Sequence, residues 1–107
     1  MAVSKADLLK KRFGVEEVEI EGVGTVKVRP LTRAEALELQ GREMGVAEME
    51  RCLVSLALVE PKLTEDEVAT WQENSPAGEL QPVAAAIVRL SGMEQTAAKE
   101  AVKQFRD

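Results

Sequence analysis

The stretch Glu17-Val18-Glu19-Ile20-Glu21-Gly22-Val23-Gly24-Thr25-Val26-Lys27-Val28-Arg29 decides how this chain begins to fold. Apolar and charged residues alternate on both sides of Gly22-Val23-Gly24. Period two is the repeat of a strand with one buried face, and glycines between two such runs signal a β-hairpin. With Gly22-Val23-Gly24 as a three-residue loop and Gly24 left-handed, Ile20 is expected to face Val26 and Val18 to face Val28. On the other side Glu19 then faces Lys27, and Glu17 faces Arg29. A two-residue loop would set valines against glutamates. Cross-strand pairs contribute roughly 0.2–1 kcal/mol each, so this register is expected to be well specified. A lone hairpin is marginal in water, so the apolar face needs helices to lie on.

Helix signals flank the hairpin. Before it, Ser4 can cap a short helix over 4–13 whose apolar side is Leu8, Leu9 and Phe13, with Gly14 as its stop. After it, Pro30 ends the strand and Thr32-Arg33-Ala34-Glu35 reads as a capping box. The helix it opens is expected to reach about Glu43, with Ala34, Leu37 and Met44 near one side. A second helix, about Val46 to Val59, starts amphipathic and becomes apolar nearly all round, which suits a central helix. Glu60-Pro61 is expected to end it. Thr64-Glu65-Asp66-Glu67 is a second capping box, opening a helix to about Glu73 with Val68 and Trp71 on one face. Asn74-Ser75-Pro76 breaks it, and Ser75 or a residue just after is expected to cap the next. Pro82 suits the first turn of that helix, which turns Leu80, Val83, Ala84, Ile87 and Leu90 inward and stops at Ser91-Gly92. The last helix is expected over about Glu94 to Phe105.

The expected fold is therefore mainly α within the α+β class: an N-terminal β-hairpin packed on a small bundle of four to five helices. All 107 residues form one domain, divided into a short helix (1–14), the hairpin (15–30) and the helical bundle (31–107).

Composition excludes several functions. The net charge is −5, which opposes binding to a phosphate backbone. The one basic cluster, Lys10-Lys11-Arg12, suits the last turn of a helix, where cations favour the macrodipole. There is no histidine and one cysteine, so ordinary zinc and iron–sulfur sites and the commonest general base are missing. Gly22-Val23-Gly24-Thr25 lacks the third glycine, the lysine and the helix of a phosphate loop. The acidic residues 65–67 suit a helix first turn and have no EF-hand spacing around them. No catalytic, cofactor-binding or metal-binding residue is assigned, and the chain is expected not to be an enzyme. Cys52 lies among aliphatic residues and is expected to be buried and inert. The longest apolar run, Cys52 to Val59, is too short to span a bilayer, and the first residues lack the apolar core of a signal peptide.

The order of these elements supports a resemblance. V-E-I-E-G-V-G-T-V-K-V-R-P-L-T-R-A-E-A-L, a helix closing on Val59-Glu60-Pro61, a short helix from Thr64 to Trp71, a late Leu90-Ser91-Gly92 turn and an alanine-rich end resemble the tail assembly chaperones of long-tailed bacteriophages and prophages. The likeness covers nearly the whole chain through motifs that are individually turns and caps. It implies a protein of the infected cell's cytoplasm, not retained in the mature virion. Such a chaperone binds the tape measure protein, keeps it soluble and assists tail tube polymerisation. The major tail tube protein and a second copy of the chain are further partners; nucleic acid and membrane are not. The family often makes a short and a frameshifted longer product, and this length fits the short one. Adaptable apolar surface for such a client is expected at Met44, Met49, Trp71 and Met93, because methionines repack around varied partners. The same residues at helical spacing also suit the core. The alternatives are a structural virion tail or connector protein and a small DNA-binding or antitoxin-like regulator. The second is opposed by the acidic balance and the lack of a basic recognition helix.

Overall fold

A computed structural model describes residues 2–93. They form a three-stranded antiparallel sheet and five helices, a mainly helical α+β arrangement. Strands β1 (Glu16–Ile20) and β2 (Gly24–Val28) make the hairpin, after helix α1 (Lys5–Leu9). Helix α2 (Arg33–Gln40) and helix α3 (Val46–Ala57) follow, then strand β3 (Leu58–Glu60), helix α4 (Glu65–Asn74) and helix α5 (Gln81–Leu90). Sheet order is β1-β2-β3.

The alternation read in the hairpin sets its faces. Ile20, Val26 and Val28 are buried, and Val18 is packed against them. They lie against α5, which contributes Val83, Ala86 and Ile87, and share one core with Leu53, Val54 and Ala57 of α3. Val68 of α4 and Leu58 of β3 complete the core. Cys52 is buried here, as its aliphatic neighbours imply. Among the described residues no polar or charged side chain is buried, so apolar burial carries this core.

The register differs from the expected one by two residues. Val18 pairs with Val26, Glu17 with Lys27, Glu19 with Thr25 and Ile20 with Gly24. A two-residue slip keeps every side chain on its face, although it sets Glu16 against Val28 and Ile20 against Gly24. The turn fixes the register. Val23 N–H donates to the Ile20 carbonyl at 3.0 Å, and Gly22 takes φ +79° within this turn. The loop is thus Glu21-Gly22-Val23, and Gly24 (φ +145°) is the first residue of β2 rather than the last of the loop.

Other boundaries also move. Helix α1 covers only five residues, capped by the Ser4 hydroxyl accepting from Asp7 N–H at 3.1 Å. It buries nothing, and Leu8 and Leu9 are 56% and 72% exposed. Helix α2 stops at Gln40 and turns Ala36 and Leu39 inward, leaving Ala34 and Leu37 exposed. Its capping box is present as expected, with Glu35 N–H on Thr32 Oγ1 at 3.1 Å and Thr32 N–H on Glu35 Oε1 at 2.9 Å.

Helix α3 ends two residues early, at Ala57, and the chain turns directly into β3, which pairs with β2. Residues 31–107 are therefore not purely helical. Leu58-Val59 has the branched apolar character of a strand and meets the unpaired edge of β2. Two cations take up the helix-end carbonyls: Lys62 Nζ donates to Ser55 O at 2.8 Å, and Arg29 Nη2 to Leu56 O at 2.9 Å. Helix α4 has its expected capping box. Helix α5 has Pro82 in its first turn, but Leu80 precedes it as N-cap without a side-chain hydrogen bond, so Ser75 does not cap it. Gly92 ends it at φ +74°. The helix expected over about Glu94 to Phe105 lies outside the described residues.

Candidate functional site

Among the described residues, two grooves lie one on each side of the Ser75–Leu80 connection between α4 and α5. Local hydrogen bonds fix that connection. Trp71 Nε1 donates to Glu79 Oε2 at 2.7 Å, Ser75 Oγ donates to Trp71 O at 2.6 Å, and Glu79 N–H donates to Pro76 O at 3.1 Å. Leu80 is buried and anchors its far end.

The first groove, about 400 Å³, lies between the start of α3 and this connection. Val46, Ala47, Pro76, Ala77 and Leu80 give it an apolar lining, with Glu50 and Gln72 at its polar edge. Val46 is 90% exposed. Gln72 ties the two walls together: its Nε2 donates to Ala47 O at 3.2 Å and Glu50 Oε1 at 2.9 Å, and its Oε1 accepts from Arg51 Nη1 at 3.3 Å. The second groove, about 410 Å³, lies between the hairpin tip and the same connection. Ile20, Pro76 and Pro82 line it, with the carboxylates of Glu19, Glu21 and Glu79 around them.

The four residues expected to meet a partner are placed elsewhere. Met44, Met49, Trp71 and Met93 are each partly buried and packed against the core. None of them lines either groove. Trp71 is spent on holding Glu79 and the connection in place. The grooves were missed in the sequence because their walls come from a segment that reads only as a helix break. The available signal was Pro76-Ala77-Gly78, three residues too small or too rigid to fill the space beside them.

The strongest electrostatic feature lies at the opposite end of the hairpin. Arg29 and Glu35 form a bidentate pair, Nη1 to Oε1 and Nη2 to Oε2, both at 2.9 Å. Arg29 also reaches Pro30 O and Leu56 O at 2.9 Å, and the Phe13 ring lies 5.6 Å from its guanidinium carbon. The guanidinium beside Glu35 holds its carboxyl down at about 2, aided by the Thr32 N–H. Arg29 is raised for the same reason. One side chain thus joins the hairpin end, the start of α2 and the end of α3. Both terminal nitrogens donate to this protein's own groups, which gives Arg29 a structural role.

Beside Cys52 is a cavity of about 70 Å³, bordered by Glu38, Arg42 and Glu65. Burial pushes the thiol above its ordinary value, and the Glu65 charge adds to that. A reactive thiol needs the opposite shift. The Sγ lies 3.8 Å from Met44 Sδ, a packing contact. Among the described residues no group of His, Cys, Asp and Glu is arranged to hold a metal ion, and no helix is long and apolar enough to cross a membrane.

Neither a protein-family model, a curated protein nor a solved structure matches this chain. The class its own geometry defines is a small, mainly helical α+β domain with a groove on each side of the α4–α5 connection.

Proposed function

We propose that this chain is a phage tail assembly chaperone that binds a tape measure protein, keeps it soluble and assists tail tube polymerisation in the host cytoplasm. The observation that carries the reading is the groove at Val46, Ala47, Ala77 and Leu80. It is open, lined by small and branched apolar side chains, and edged by Glu50 and Gln72. That is the form needed to accept the apolar face of an amphipathic helix, as in helix-in-groove recognition. A tape measure protein is long and helical, and its apolar stripes need cover until tube subunits surround it. The ordered resemblance across the sequence supplies the identity of the client. Micromolar binding, roughly −8 kcal/mol, suffices for a chaperone that must release it. Apolar burial also makes the complex persist in added salt, because screening weakens exposed ion pairs and not hydrophobic contact.

Co-expression with the tape measure gene of the same phage tests this. The expected result is more soluble tape measure protein and a recoverable complex, with both lost in Val46→Glu, whose exposed position leaves folding intact. A tape measure protein equally soluble with and without the chain, together with tails built by a phage deleted for the gene, overturns the reading. Recovery of the chain as a stoichiometric part of purified virions favours a structural tail or connector protein instead.

A further inference from the structure

Charge is divided unevenly along this chain. Within residues 1–15, Lys5, Lys10, Lys11 and Arg12 against Asp7 carry +3 of a chain whose net charge is −5, so the remaining residues carry −8. The described part of this segment is also the least buried part of the fold. Val3, Leu8, Leu9 and Val15 are each more than half exposed, and α1 buries none of its residues. It is attached at Phe13, beneath the Arg29 guanidinium. Apolar side chains flanked by unburied cations form a surface awaiting an acidic, partly apolar partner.

The fold carries a surface of that chemistry. The groove beside the hairpin tip sets Glu19, Glu21 and Glu79 around Ile20, Pro76 and Pro82. Its volume, about 410 Å³, has room for more than one leucine-sized side chain. We propose that the 2–13 segment of one copy docks in this groove of a second copy, with Leu8 and Leu9 on the apolar lining and Lys10 and Lys11 against the glutamates.

Glu16 pairs with Val28, so Phe13 and Arg29 lie at the open end of the hairpin, and β1 runs from there toward the tip that carries Glu19 and Glu21. A chain's own segment has to turn back along β1 to reach its own groove, whereas that of a second copy enters from outside. Among the described residues Lys10 makes one exposed 3.6 Å pair, with Asp7, worth little. Arg12 closes the end of α1, donating to the carbonyls of Asp7 and Leu8, and is left out of the contact. This self-association does not depend on the tape measure reading and is tested without any client.

The test is sedimentation velocity on the full chain over a concentration series, at low salt and at 1 M salt. The expected result is concentration-dependent association that weakens with salt. Lys10→Glu with Lys11→Glu reverses the segment, and Glu19→Lys with Glu21→Lys reverses the groove. All four positions are solvent-facing, so folding is preserved, which circular dichroism checks. Each double variant is expected to lose association at least about tenfold, and a mixture of the two is expected to regain it. A full chain that stays monomeric overturns the proposal. So does association that ignores either reversal, or a mixture that fails to recover. Association that ignores the reversals but disappears when residues 94–107 are removed assigns the contact to that segment instead.

Discussion

Replacing Glu35 with glutamine should remove a defined, pH-dependent part of this protein's stability. Glu35 is held at about 2 against an ordinary value of 4.5, chiefly by the bidentate Arg29 pair. Both side chains are 22% exposed, so solvent screening is partial. At about 1.36 kcal/mol per pKa unit the shift corresponds to about 3 kcal/mol; with screening we expect about 1–2 kcal/mol. The sign follows from linkage. A carboxyl depressed in the folded state contributes fully above its unfolded value, near 4.5, and loses that contribution as pH falls through about 2. Urea denaturation of the wild type and Glu35→Gln, from pH 7 down to pH 2, measures it. Glutamine also serves at this position of a capping box, so the helix start is kept and the charge pair is lost. The wild type should be more stable at pH 7, and the two stabilities should converge between about pH 5 and pH 2. Taking the difference cancels the other carboxylates. A difference that stays flat across that window would show that the Arg29 pair contributes nothing specific, and would refute this account of how the three elements are joined.

Cys52 and the two hairpin glycines give the remaining outcomes. Cys52 is 2% exposed with its thiol raised, so native protein should react with a thiol reagent far more slowly than denatured protein. Cys52→Ser should fold with a loss of roughly 1–3 kcal/mol for a poorly paired hydroxyl; labelling as fast as in denaturant contradicts the buried assignment. In the hairpin, Gly22 at φ +79° sits where asparagine is tolerated, whereas Gly24 at φ +145° sits where only glycine is comfortable. Gly22→Asn should therefore shift the thermal midpoint little, and Gly24→Val should lower stability by roughly 1–3 kcal/mol. The reverse order would restore Gly24 to the left-handed loop position and with it the other register.

How much of the fold was readable depended on what kind of signal each feature has. Alternation and capping are local, and they placed the hairpin, both capping boxes and helices α4 and α5. The hairpin register failed because alternation repeats every two residues and the slip is two residues. Cross-strand character favoured the other register, but the backbone conformation at Gly22 and Gly24 decides the choice, and glycine is compatible with both. Strand β3 was missed for a different reason. Leu58-Val59 continues the apolar run of α3 without a break, and Pro61 follows closely enough to look like the helix stop. Its strand character comes from the open edge of β2, which is a property of the assembled sheet.

The exposed α1 and the two grooves share one physical origin. The sequence marks Leu8, Leu9 and Phe13 as the apolar side of a helix over 4–13, whereas α1 ends at Leu9. Five helical residues cannot hold themselves together in water, yet α1 buries nothing among the described residues and is attached mainly through Phe13. The Ser75–Leu80 connection shows the complementary case. Its proline, alanine and glycine cannot fill the space between α3, α5 and the hairpin tip, and its hydrogen bonds to Trp71 keep it from collapsing into that space. A helix with apolar surplus and a connection with apolar deficit are each costly alone. Both are removed together when the surplus of one copy fills the deficit of another. Salt sensitivity would tell the proposed contact from the proposed client binding at the Val46 groove: the first is lined with glutamates and should weaken as charges are screened, and the second is apolar and should not.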